Sequence, residues 1–138
     1  DVGSGFRAHR CAMPRNDEEG PSHGRETMNT MPASTAPLLA IDDLHVTFST
    51  RRGLVEAVRG VSFSVAAGET LGVVGESGSG KSVTAFAVTR LLDASGRVSQ
   101  GRIRFAGEDI TTASSKQLRR LHGAAISMIF QNPRGALN

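Results

Sequence analysis

The sequence predicts an α/β fold, and three observations predict it. Apolar residues alternate in short runs from Leu39 onward, a glycine-rich octapeptide directly follows one such run, and apolar residues then recur at helical spacing. In chain order, Leu39 and Ile41, then Leu44, Val46 and Phe48, predict a strand with a phase slip at Asp42-Asp43, the mark of a bulge or turn. Val61, Phe63 and Val65 alternate again and stop at a turn, Ala66-Ala67-Gly68-Glu69. Thr70-Leu71-Gly72-Val73-Val74 is a short apolar run of the kind found in strands buried on both faces. Beyond the glycines, Val83, Phe86, Ala87, Val88 and Leu91 predict a helix reaching Leu92. Ile103 and Phe105 predict a further strand. Ser114-Ser115-Lys116-Gln117 fits a capping box ahead of Leu118 and Leu121, with Gly123 as the stop. Ile126, Met128 and Phe130 alternate, with Ile129 also apolar, which predicts a last strand covered on both sides.

Composition narrows the class further. The 138 residues include 16 glycines, six Phe, no Tyr and no Trp. Few aromatics and many glycines exclude a membrane span, a coiled coil and a stacking platform for single-stranded nucleic acid. The net charge is +3 and the pI is near 10.0. Basic residues never run beyond the pairs Arg51-Arg52 and Arg119-Arg120, so a solvated surface is expected rather than a polyanion groove. The single cysteine, Cys11, has no internal disulfide partner and fits a reducing compartment. With no apolar run of membrane-spanning length and no signal-peptide core, a soluble cytoplasmic chain is expected.

Residues 1–37 lack periodicity and hold few large apolar residues. They are expected to form a disordered extension, with Met28 or Met31 as the native start, ahead of a folded region over 38–138. Asp42-Asp43 is expected to be a solvated turn, His45 an exposed strand residue, and His122 a cation at a helix C-terminus.

Gly75, Glu76, Ser77, Gly78, Ser79, Gly80, Lys81 and Ser82 match G-x-x-x-x-G-K-[ST] at every fixed position, between a strand and a helix. A triphosphate concentrates several negative charges and needs many donors at close range. Glycines at 75, 78 and 80 are expected to adopt positive φ and turn backbone N–H groups inward. The helix adds its free N–H groups and positive dipole end. Lys81 is expected to supply a point charge to the β- and γ-phosphates, and Ser82 a hydroxyl to Mg²⁺. A dinucleotide fingerprint fails, because Val83 stands where its third glycine belongs. The motif predicts a nucleoside-triphosphate site in a P-loop NTPase fold.

With the loop placed, GVSFSVAAGETLGVVGESGSGKS and, about fifty residues on, ISMIFQNPRGALN resemble the ATP-binding subunits of ABC transporters. The likeness is strongest to the dipeptide/oligopeptide (and nickel) importer family and runs from Leu38 to Asn138. It implies an ABC-type ATPase that energises solute uptake with ATP and Mg²⁺. It also implies transmembrane permease subunits, a second ATPase subunit and, indirectly, an extracytoplasmic solute-binding protein as partners. Nucleic acid is not among the partners it implies. The location it implies is peripheral, at the cytoplasmic face of the inner membrane. Gln131 falls on the family's Q-loop glutamine, implying contact with Mg²⁺ and the attacking water. Phe48 falls where family members stack an aromatic on adenine, and Asn132–Asn138 would face the permease. Arg134 and Gly135 depart from the family pattern.

The LSGGQ-type signature, the Asp-Glu strand and the switch histidine that the family uses for hydrolysis do not occur in these residues. The chain is therefore expected to be the N-terminal part of such a domain, with negligible turnover by itself. Two alternatives stand beside this reading: a nucleic-acid-handling ABC-type ATPase, and a truncated nucleotide-binding fragment with no catalytic role. The first needs an insertion between Lys81 and Gln131, a span already filled by two helices and two strands.

Overall fold

The computed structural model describes residues 7–11 and 36–131. The long alternating segment forms β2 (Leu39–Thr50), paired antiparallel on one side with β3 (Gly53–Val65) and on the other with β5 (Gly96–Phe105). A short β6 (Glu108–Asp109) closes a four-stranded sheet in the order β3-β2-β5-β6. The predicted phase slip is present. Register with both neighbours shifts after Ile41 and Asp42, and Asp43 takes a φ of 46°. An unbroken strand would send Ile41 and Leu44 to opposite faces. The bulge lets both enter the core, where they are 1% and 0% exposed.

That core joins Ile41, Leu44 and Val46 of β2 to Val58, Val61, Ile103 and Ala87. Ala87 comes from α1 (Lys81–Val88), which lies against the sheet and connects it to β4 (Thr70–Val74). β3 begins at Gly53, well before the alternation at Val61. Its first half pairs with β2 through the backbone, while Leu54 and Val55 remain exposed.

β4 differs from expectation, because Val74 is 50% exposed. Among the described residues its strand partner is β1 (Arg7–Cys11), antiparallel from Arg7↔Val74 to Cys11↔Thr70. β1 lies within the stretch expected to be disordered. Main-chain pairing satisfies the β4 edge without needing apolar alternation, which is why composition did not reveal it. The rest of residues 1–35, with Met28 and Met31, lies outside the described residues.

α1 stops at Val88, four residues short of the predicted Leu92. Thr89 Oγ1 donates to the carbonyls of Ala85 and Phe86, and Arg90 turns left-handed at φ 56°. The Leu91 N–H reaches back to Phe86 O and the Arg90 N–H to Ala87 O, the paired bonds of a Schellman closure. A left-handed backbone costs a non-glycine residue about 1 kcal/mol.

α2 (Ser115–Leu121) has the predicted capping box, with Ser114 and Gln117 bonded reciprocally and Gly123 at φ 79° beyond the end. His122 caps it, and a ring nitrogen lies 2.7 Å from Thr89 O, tying α2 to the end of α1. The predicted last strand is not a ladder. Residues 127–130 carry no regular secondary structure, the segment makes a single bridge between His122 and Ile126, and Ile129 is 92% exposed. The alternation is present in the sequence, but a strand also needs a hydrogen-bonding neighbour, and the described residues supply none there.

His45 stands between two carboxylates on the outer face of the hairpin. Its ring nitrogens lie 2.9 Å from Glu56 Oε1 on β3 and 3.3 Å from Asp43 Oδ1 on β2. Arg59 faces Glu56, and Gln100 of β5 donates to Asp43. The Glu56 hydrogen bond raises the imidazole pKa above its ordinary 6.5, burial opposes this, and Asp43 adds to the rise. A raised folded-state value means that the stabilisation is complete below pH 6.5 and is lost as pH climbs through the folded pKa. Urea midpoints are therefore expected to fall between pH 6 and pH 8.5, and Glu56→Gln should flatten that slope. An unchanged slope in the variant would remove His45–Glu56 as the cause.

Candidate nucleotide-binding site

The octapeptide leaves β4 at Val74 and enters α1 at Lys81. Two of its three glycines take the expected left-handed backbone, Gly78 at φ 81° and Gly80 at φ 93°. Gly75, directly after the strand, does not. Gly80 meets a second demand, because a Cβ on it would lie 2.7 Å from the Ala57 carbonyl. The loop is thus seated directly on the β3 backbone, a contact that admits no side chain.

The start of α1 is open toward a ligand. Gly80 provides no side-chain cap, and the first turn carries no acidic residue. The N–H groups at this end and the dipole charge behind them remain available to an anion. Lys81 curls back over the loop, its Nζ donating to Gly75 O and Glu76 O at 2.7 Å each and to Ser79 Oγ at 3.3 Å. The ammonium therefore sits inside the curve of the loop, where phosphate oxygens would compete with neutral carbonyls for its protons. Ser82 is exposed beside it.

Residues 77–83 line a cavity of about 440 Å³, closed on one side by Ala57 and on the other by Gln131. Gln131 arrives there because residues 126–130 pack along α1. Thr89 Oγ1 meets Met128 Sδ at 3.7 Å, and the Phe130 ring lies 6.1 Å from that of Phe86. The structure therefore gathers Ser77, Gly78, Ser79, Gly80, Lys81, Ser82 and Gln131 around one space. Gly75 and Glu76 stand behind it as carbonyl anchors for Lys81.

Phe48 is not brought to this cavity. Its ring packs over Gly96 at the β2–β5 contact, where a Cβ would fall 2.6 Å from Cε1, and its outer edge joins the core. The alternation that placed Phe48 in a strand also turned it away from the loop. Asn132–Asn138 lie outside the described residues. Ala57 is the wall that sequence reading missed. It acts through its carbonyl, and a backbone contact leaves no trace in residue type.

Mg²⁺ takes oxygen ligands and retains several waters. Ser82 and Gln131 supply two neutral oxygen donors, and among the described residues no carboxylate lines the cavity. The donor set fits a magnesium ion carried in with a polyphosphate, and fits a free ion poorly.

The fold and the loop together define an ATP-binding domain of the P-loop NTPase class, ABC ATPase type. The ABC transporter family matches residues 58–137, and the chain belongs to that family. It is 51% identical over 102 residues to the dipeptide transport ATP-binding protein DppD of Bacillus subtilis, covering 73% of this chain and 30% of the relative. It is 54% identical over 101 residues to the oligopeptide transport ATP-binding protein OppD of Escherichia coli, again covering 73% and 30%. A third relative, OppD of Salmonella typhimurium, is 48% identical over 113 residues, covering 82% of this chain and 33% of the relative. The chain thus spans about a third of the length of the curated relatives it matches.

Proposed function

We propose that this chain is the ATP-binding, N-terminal part of an importer ATPase subunit that serves uptake of peptides or similar solutes. The observation that carries the reading is the convergence of the Lys81 ammonium, the uncapped start of α1 and Gln131 on one cavity. In it the loop N–H groups hold the phosphates, Lys81 neutralises charge on the β- and γ-phosphates, and Ser82 with Gln131 meets the accompanying Mg²⁺. Gln131 would also pass the state of the nucleotide to a transmembrane permease through the residues that follow it. The partners are permease subunits, a second ATPase subunit facing the phosphate loop and, indirectly, an extracytoplasmic solute-binding protein. The site is peripheral at the cytoplasmic face of the inner membrane. Consistent with a peripheral place, no helix among the described residues is long and apolar enough to cross a membrane.

Catalysis needs a group that takes a proton from water, and among the described residues neither a carboxylate nor a histidine lines the cavity. Binding without turnover is therefore expected. Calorimetric titration should show Mg·ATP binding with a Kd on the order of 0.1 mM, about −5.5 kcal/mol. AMP, lacking the β- and γ-phosphates, should bind far more weakly. Phosphate release should not exceed background. Equal affinity for AMP and ATP would overturn the assignment of the loop, and turnover approaching that of a complete importer ATPase would overturn the inactive-fragment reading.

A further inference from the structure

The closure of α1 leaves one residue unexplained. Arg90 occupies the left-handed position of the Schellman pair, where glycine is the usual occupant. A helix C-terminus favours a cation, but a cation within the last turn would satisfy the dipole without a left-handed backbone, and α1 has none there. The Arg90 side chain is half-buried, and its Nε has no hydrogen-bond partner among the described residues. A buried N–H with no acceptor is uncommon.

The residue lines a cavity of about 350 Å³ together with Arg97, Thr111 and Thr112, between the end of α1, the start of β5 and the segment after β6. Among the described residues no carboxylate lines it. Thr111 Oγ1 is committed to the backbone of Ile103, which leaves the Thr112 hydroxyl as the free neutral donor of the set. Two arginines and a hydroxyl able to donate line the cavity, and a planar guanidinium fork matches two oxygens of one oxyanion.

We propose that this cavity is a binding site for a small oxyanion, a phosphate or carboxylate group. It is separate from the phosphate loop, shares no lining residue with the loop cavity, and stands at the opposite end of α1, about 13 Å along the helix axis.

The test follows the Nε–H cross-peak of Arg90 in the ¹⁵N-labelled full chain, titrated with sodium phosphate, with sodium succinate, and with sodium chloride at matched ionic strength. A Lys81→Ala background weakens the loop as a competing phosphate site. Saturable shifts with phosphate or succinate, persisting in Lys81→Ala, are expected. Saturation by phosphate alone identifies a phosphate site, and saturation by both identifies a general oxyanion site. Arg90→Gly, which the backbone accommodates, should raise the melting temperature. Read at the Val98 and Thr112 amides, it should weaken binding at least fivefold. Arg97→Gln, on an exposed strand position, should weaken it similarly without loss of fold. Shifts that grow linearly, that chloride reproduces, or that vanish in Lys81→Ala would overturn the proposal.

Discussion

Gly101→Ala is expected to destabilise the fold by about 3 kcal/mol, combining a left-handed backbone with an overlap that cannot relax. Gly101 sits at φ 91° opposite the β2 bulge. A Cβ there would fall 2.5 Å from the Asp42 carbonyl oxygen and on top of that of Asp43. Both obstacles are backbone atoms inside a ladder, so neither can swing aside as a side-chain tip would. The bulge is also what delivers Ile41 and Leu44 to the same core, so displacing it disturbs two fully buried side chains together. Gly107→Ala is the matched control, because Gly107 has φ 84° and nothing within 4 Å of the added carbon. It should cost about 1 kcal/mol, the backbone part alone. Urea denaturation of both variants separates the two contributions, and equal losses would show that the bulge contact carries no weight.

The bulge matters to the site because β3 is its outer wall. The hairpin register carries Ala57 to the position where its carbonyl meets Gly80, and the loop can close over that point only where no side chain intervenes. The two tight glycines are thus linked. Gly101 holds the β2 phase that fixes the hairpin, and Gly80 is where the hairpin touches the phosphate loop.

Features encoded at short range were legible in the sequence. The phase slip at Asp42-Asp43, the Ser114–Gln117 capping box and the octapeptide each depend on residues within one turn or one strand, and each is found in the structure. Features that depend on a distant partner were not. The helical period runs on to Leu92, yet α1 ends where Thr89 and Arg90 close it through backbone carbonyls. The alternation of 126–130 had no means of showing that the described chain offers it no ladder. Within the site, Gln131 was found through its flanking residues, while Phe48 was placed by family resemblance, and its ring turns to Gly96.

Lys81→Ala is expected to weaken Mg·ATP binding about 30-fold, the loss of roughly 2 kcal/mol that one charge-assisted contact to phosphate represents. The geometry explains why the loss should not be recovered by another cation. Lys81 Nζ is held by three convergent acceptors, Gly75 O, Glu76 O and Ser79 Oγ, inside the curve of the loop. A compact ammonium with three tetrahedral protons can hold two loop carbonyls while turning the third toward a phosphate oxygen. A planar guanidinium cannot enter that curve with the same set of bonds, so Lys81→Arg should bind ATP little better than Lys81→Ala. The carbonyl contacts also shape the loop, so two effects are mixed in the alanine variant. Lys81→Met separates them in part, because it keeps the length of the stem and removes the charge. Titration of Mg·ATP and Mg·ADP into all three variants completes the test. If Lys81 contacts the γ-phosphate as well as the β-phosphate, its removal should reduce ATP affinity more than ADP affinity. If the ammonium serves only as a staple for the loop, the two nucleotides should lose equally, and the assigned contact with the terminal phosphate fails.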